Sequence, residues 1–154
     1  MEMTQLNIDN LMKFKKEGTD LLCRIEDIDI ESNMVSIQYL GTDKIWRKEN
    51  DVEIGNLKPI KASDAVLKAF GISLSEKKDP PSCYGYPDNQ IYSIKIGKEQ
   101  ILVFKDSCFY HILSCNSLTC FHTGIYLCVH HIQNLMSKYR IDYSTDAIID
   151  KLSV

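Results

Sequence analysis

Short bursts of two-residue alternation or β-rich composition run through the first third of the chain: Leu11 to Phe14, Asp20 to Asp27, Met34 to Leu40, Lys44 to Arg47 and Val52 to Leu57. Two-residue alternation puts successive side chains on opposite faces of an extended strand. The bursts are separated by turn-forming runs, Lys16-Glu17-Gly18, Glu31-Ser32-Asn33 and Gly41-Thr42-Asp43. Val35, Ile37 and Tyr39 make a clean inward stripe against Ser36 and Gln38, whereas the alternation of Leu22, Arg24 and Glu26 against Cys23, Ile25 and Asp27 is imperfect. Five strands in about 50 residues predict an α+β protein that opens with a small SH3-like β barrel over residues 1–60.

The pattern changes at Asn56-Leu57-Lys58-Pro59-Ile60. Pro59 cannot donate to a sheet ladder, so a strand should end near Leu57. Ser63 is placed to cap a helix with Val66, Leu67 and Phe70 on one face, and Gly71 can adopt the left-handed conformation that stops it. Glu76 to Asn89, with two adjacent prolines and Tyr84-Gly85-Tyr86, reads as an exposed connection. Gln90 to Ile96, Gln100 to Phe104 and Cys108 to Leu113 then read as an antiparallel meander, with Ile125 to Val129 as a last strand. Ile132, Leu135, Met136 and Tyr139 have the spacing of a one-sided helix over His130 to Tyr139. Residues 61–154 are therefore expected to form an α+β subdomain, an antiparallel sheet with a C-terminal helix.

Composition narrows the setting. Of 154 residues, 44% are hydrophobic and 25% charged, as in ordinary globular proteins. No apolar run approaches the roughly 20 residues of a membrane helix, and Met1 to Lys16 lacks the layout of an export signal, so a cytoplasmic protein without membrane partners is expected. Six cysteines are then expected as thiols. A net charge of −3 speaks against a protein that holds duplex nucleic acid by neutralising phosphates.

Reactive side chains concentrate in His111, Cys115, Cys120, His122, Cys128, His130 and His131. Zinc takes thiolate and imidazole, and alternation would put Cys120 and His122 on one strand face with Cys128 nearby. No Cys-x-x-Cys occurs, and buried cysteine behaves as a small hydrophobe, so packed thiols without a metal or cofactor are the first expectation. His130, Gln133 and Asn134 open the last helix, either presented to a ligand or, by the stronger reading, bonded to neighbouring backbone. A Cys nucleophile with a His base can be written but has no spacing to support it; phosphate loop, His-Glu-x-x-His and nucleophile elbow are absent, and no catalysis is expected. Trp46-Arg47-Lys48, joined by Tyr39, combines aromatic and basic groups suited to a peptide or single-stranded nucleic acid, although Trp46 suits a barrel plug as well. Tyr84, Tyr86 and Tyr92 flank the proline-rich connection, where tyrosines make contacts.

Three motifs in order, Leu6-Asn7-Ile8-Asp9-Asn10, Val52 to Ile60 with Phe70-Gly71, and Val129-His130-His131-Ile132-Gln133-Asn134-Leu135, resemble a family of small proteins abundant in Bacteroidales genomes, prophages and phages. The resembled opening is Leu-Arg-Ile-Gly-Asn, so Asp9 stands at its Gly; Lys138-Tyr139-Arg140 stands where its last helix ends Leu-Thr-Gly; and Lys61 stands where its middle segment has a second Pro. The resemblance implies a phage or prophage origin and no particular reaction. The expected function is a non-catalytic binding protein, an anti-defence role included, that occupies a host protein or a small ligand. A zinc-supported enzyme or fold at 111–131, a single-strand nucleic-acid accessory role and a homodimer are the alternatives.

Overall fold

The computed structural model describes residues 5–74, 91–96, 99–105, 110–114, 120–124 and 127–152, with backbone alone for the elements between residues 73 and 124. It is a small α+β protein that divides into two compact units, residues 5–61 with 128–134, and residues 62–127 with 135–152.

The first unit carries β1 (Leu11–Lys16), β2 (Thr19–Asp29), β3 (Met34–Leu40), β4 (Trp46–Glu53), a 3-10 turn at Ile54–Asn56 and β5 (Leu57–Lys58), all antiparallel in the order β4-β3-β2-β1-β5. Lys16 pairs with Thr19 across Glu17 and Gly18, whose φ angles of 48° and 82° make the two-residue turn that matches the twist of a hairpin. The imperfect alternation of β2 has a cause. A bulge between Ile25 and Asp27 inserts one residue, so the inward face passes from Leu21, Cys23 and Ile25 to Ile28. A second bulge lies directly across β3: Val35 pairs with Val52 but Ile37 with Glu49, and Asp51 takes φ 55°. Two bulges opposite Ser36 twist the sheet around a core of Met12, Phe14, Cys23, Ile25, Val35, Ile37, Tyr39, Val52 and Leu57.

Two expectations are corrected here. The fourth strand is not Lys44 to Arg47 but Trp46–Glu53, and Val52 belongs to it; this edge strand exposes nearly every side chain, so it lacks alternation to read. The fifth strand is two residues long and pairs only with β1, because the 3-10 turn precedes it and Pro59 follows it. Among the described residues β4 and β5 are the sheet's edges and no ladder joins them, so the sheet is open.

In the second unit α1 (Asp64–Ala69) begins with the Ser63 hydroxyl accepting from Val66 N at 3.2 Å. It ends at Gly71, φ 82°, with Gly71 N donating to Lys68 O and Ile72 N to Leu67 O, both 2.9 Å. The sheet is a meander, β10-β9-β8-β7-β6, built from β6 (Ser73–Leu74), β7 (Ile91–Ile96), β8 (Glu99–Lys105), β9 (Tyr110–Ser114) and β10 (Cys120–Gly124). Among the described residues the last strand is Cys120–Gly124; of the expected strand over Ile125 to Val129, residues 125 and 126 lie outside the described residues, Cys128 makes only an isolated bridge to Lys61, and Val129 already begins α2 (Val129–Lys138). A third helix, α3 (Thr145–Ile149), capped by Ser144, carries no stripe long enough to be read from sequence. Residues 128–134 of α2 and its approach cluster with the first unit, and the remainder with the second. No helix of the described residues is long and apolar enough to cross a membrane.

Candidate functional site

At one end of the first sheet, the β1–β2 turn and the β3–β4 loop flank a cavity of about 390 Å³ lined by Lys16, Glu17, Tyr39, Thr42, Asp43 and Arg47 among others. Strand alternation brings Tyr39 here: it is the last inward residue of β3, buried, with its ring 5.6 Å from Phe14. Lys16 Nζ donates to the Tyr39 hydroxyl at 3.2 Å and to the Glu49 carboxylate, and lies 4.7 Å from the Tyr39 ring centre. Glu49 first, then the Tyr39 hydroxyl, hold the Lys16 ammonium above its ordinary pKa. Arg47 grips Asp43 with two nitrogens, Nη1–Oδ1 at 2.7 Å and Nη2–Oδ2 at 2.5 Å, and holds that carboxyl down to about 2. A Cβ on Gly41 would stand 2.6 Å from Asp43 Oδ1 and against Arg47 Nη1, so a larger residue there would displace the ends of both clamp side chains.

The residues expected to bind a partner fall in different places. Arg47 lines the cavity, Trp46 is 39% exposed at the start of β4 and does not plug the sheet, and Lys48 reaches Glu26 at 3.2 Å. Lys16, Arg47 and Lys48 each sit on a carboxylate, which mutes the positive potential a nucleic-acid strand would track. Tyr84 and Tyr86 lie outside the described residues. Lys16, Asp43, Glu49 and Gly41 were not legible as site residues; only the fold of β1 over β4 brings Lys16 to Glu49.

His130, Gln133 and Asn134 open α2 beside the chain's first turn. Asn10 Nδ2 and Asn7 Nδ2 donate to Asn134 Oδ1 at 2.8 and 2.9 Å, and Asn134 Nδ2 donates to Gln5 O at 2.9 Å. Gln133, 2% exposed, accepts from Leu11 N at 2.8 Å and donates to Asp9 O at 3.1 Å. These amides latch α2 to residues 5–11, where Asp9, φ 70°, shapes the turn.

The approach to α2 is pinned to the segment after β5, with Lys61 bridged to Cys128 and Val129 N donating to Ile60 O at 2.8 Å. Ligand atoms of Cys128, His130 and His131 lie within 4.8 Å of one another, and the two imidazole centres are 4.0 Å apart. Cys128 and His130 are buried and His131 half-buried. Burial pushes the Cys128 thiol up to about 11, with the Lys61 charge opposing it. Of the other expected ligands, Cys120 and His122 pair with the consecutive residues Leu113 and Ile112, so a bulge interrupts the alternation between them. Their side chains, like those of His111 and Tyr92, lie outside what is described. Cys23 is a core thiol that burial pushes up to about 12.

No protein-family model, curated protein or solved structure matches the chain.

Proposed function

We propose that this chain is a non-catalytic binding protein that holds a short extended segment of a partner protein in the cavity between the two hairpin tips. The observation that carries the reading is the lining itself: Lys16 and Arg47 face Glu17 and Asp43, with Tyr39 as an apolar wall. Two cations balanced by two anions suit the alternating carbonyls and amides of a peptide backbone better than the uniform charge of a phosphate chain. The clamped Arg47 and the Glu49-held Lys16 lose little freedom when a partner binds, which favours recognition.

The strand order β4-β3-β2-β1-β5, with a 3-10 turn before β5, supports reading the first unit as an SH3-like barrel whose final seam is not laced. Two backbone positions support the resemblance to the phage and prophage proteins. Asp9 and Arg140, which stand at Gly positions of the resembled motifs, both take left-handed conformations, φ 70° and 54°, that glycine adopts without strain. By that resemblance the proposed partner is a host protein, an anti-defence target included, and loss of phage growth on a defended host after deletion of the gene is the expected phenotype.

The direct test is selection from a random peptide library against the full chain, followed by amide chemical-shift mapping. Selected peptides should shift Glu17, Thr42 and Asp43 and lose binding at least tenfold in Lys16→Glu or Asp43→Lys. Peptides that map elsewhere, or a library that yields none, overturn the reading.

A further inference from the structure

Cys128, His130 and His131 play no part in the cavity, yet they form the most chemically specific group among the described residues. We propose that this Cys-x-His-His stretch is a metal site that takes a borderline-soft divalent ion, zinc first, with a fourth coordination position left for an exogenous anion or hydroxide. One thiol sulfur and two imidazole nitrogens, each within 4.8 Å of the others, are the donors that select zinc over magnesium or calcium, which require oxygen.

The geometry needs little adjustment. Zinc–sulfur and zinc–nitrogen bonds of about 2.3 and 2.05 Å set at tetrahedral angles put ligand atoms about 3.3–3.6 Å apart. The observed limit of 4.8 Å exceeds this separation by little more than about 1 Å. That main chain is fixed on both sides of the cluster. The Lys61–Cys128 bridge and the Val129–Ile60 hydrogen bond hold the approach, and Gln133, two residues past His131, is bonded to Leu11 N and Asp9 O. The three donors are therefore presented by a preset scaffold, as a site that assembles without a folding transition requires.

Charge decides the fourth ligand. One thiolate and two neutral imidazoles leave a divalent ion with a net charge of +1, in a place where Cys128 is 5% and His130 2% exposed. An uncompensated buried charge is costly, and the Lys61 charge near Cys128 raises that cost, so an anion completes the site. His131, only half-buried, marks the side from which it enters.

The test is titration of Co²⁺ into the reduced, chelator-stripped full chain. The expected result is one equivalent bound, with the intense visible bands of tetrahedral cobalt, a near-ultraviolet thiolate-to-cobalt band, and displacement of both by Zn²⁺. Cys128→Ser should abolish the thiolate band. His131→Ala, at a half-buried position that spares the core, should keep the wild-type circular dichroism and weaken affinity by about 100-fold or more, since even outer-shell changes cost 10–100-fold. Absence of tetrahedral bands at stoichiometric cobalt overturns the proposal. So do bands that persist unchanged in both variants, an outcome that moves the metal to other cysteines.

Discussion

Gln133→Leu isolates the hydrogen-bonding half of the latch between α2 and the start of β1. Leucine keeps the bulk of the side chain but accepts nothing, so the Leu11 N–H, donated to Gln133 Oε1 at 2.8 Å inside a fully buried residue, is left without its acceptor. An orphaned buried donor costs about 1–3 kcal/mol. The Asp9 carbonyl, on an exposed residue, exchanges its bond from Gln133 Nε2 for one from water at little cost. The expected loss is about 2 kcal/mol, or roughly 30-fold in the folding equilibrium. In urea, with a slope of about 2 kcal/mol/M, the midpoint falls by about 1 M. Gln133→Ala should lose more, because truncation adds a cavity. Native-state hydrogen exchange gives the local reading: the Leu11 amide should exchange about 30-fold faster in Gln133→Leu. A Gln133→Leu variant within about 0.5 kcal/mol of wild type, the range of an ordinary surface substitution, would refute the account of α2 as latched through this amide.

Arg140 closes α2 in the left-handed region at φ 54°, donating to Ser137 O at 3.2 Å while Ile141 N reaches Met136 O at 2.9 Å, so Arg140→Gly should stabilise the chain by about 0.5–1 kcal/mol, read as a raised thermal midpoint. The Asp43 carboxyl is held at about 2 by Arg47, below its ordinary 3.8; its contribution is present above pH 3.8 and is lost as pH falls from there through about 2. Carboxyl-carbon NMR should show this titration, and Arg47→Ala should return it towards 3.8. Cys23, fully buried with its thiol pushed up to about 12, should resist iodoacetamide in the native state and label only as the first unit unfolds; rapid native labelling, located by peptide mass spectrometry, would contradict its place in the core.

What the sequence carried of the fold depended on whether one local rule governed each element. The Met34–Leu40 stripe, the Ser63 cap and the Gly71 stop all appear where single-residue chemistry places them. The edge strand β4 failed that test. Its inward residue is Val52, while Trp46, Arg47, Lys48, Glu49, Asp51 and Glu53 are polar or exposed, since charge on an edge discourages pairing with another chain. The bulge in β2 was visible only as flawed alternation, because a one-residue insertion reverses the face of everything beyond it. Barrel closure was overread for a similar reason: counting strands says nothing of their lengths, and two residues of β5 pair with one neighbour only.

The site was legible as residue types and not as neighbours. Lys16 and Glu49, or Asn10 and Asn134, meet only through the fold. The Cys128-x-His130-His131 spacing, by contrast, was in plain view but carried no ligand signal until the start of α2 was fixed at Val129, which sets Cys128 on the approach and His130 and His131 in the first turn, with their ligand atoms within 4.8 Å of one another. That dependence links the latch to the metal proposal. Zinc that binds the docked helix start and not the undocked one must stabilise it, by about 2.7 kcal/mol at a hundredfold excess over the dissociation constant. Zinc should therefore slow exchange of the Leu11 amide, while Gln133→Leu should weaken zinc binding only by the fraction of chain it leaves undocked, since apparent affinity scales with the population of the competent state. A Leu11 amide whose exchange zinc leaves unchanged would separate the cluster from the latch and leave its geometry to the Lys61–Cys128 bridge and the Val129–Ile60 hydrogen bond.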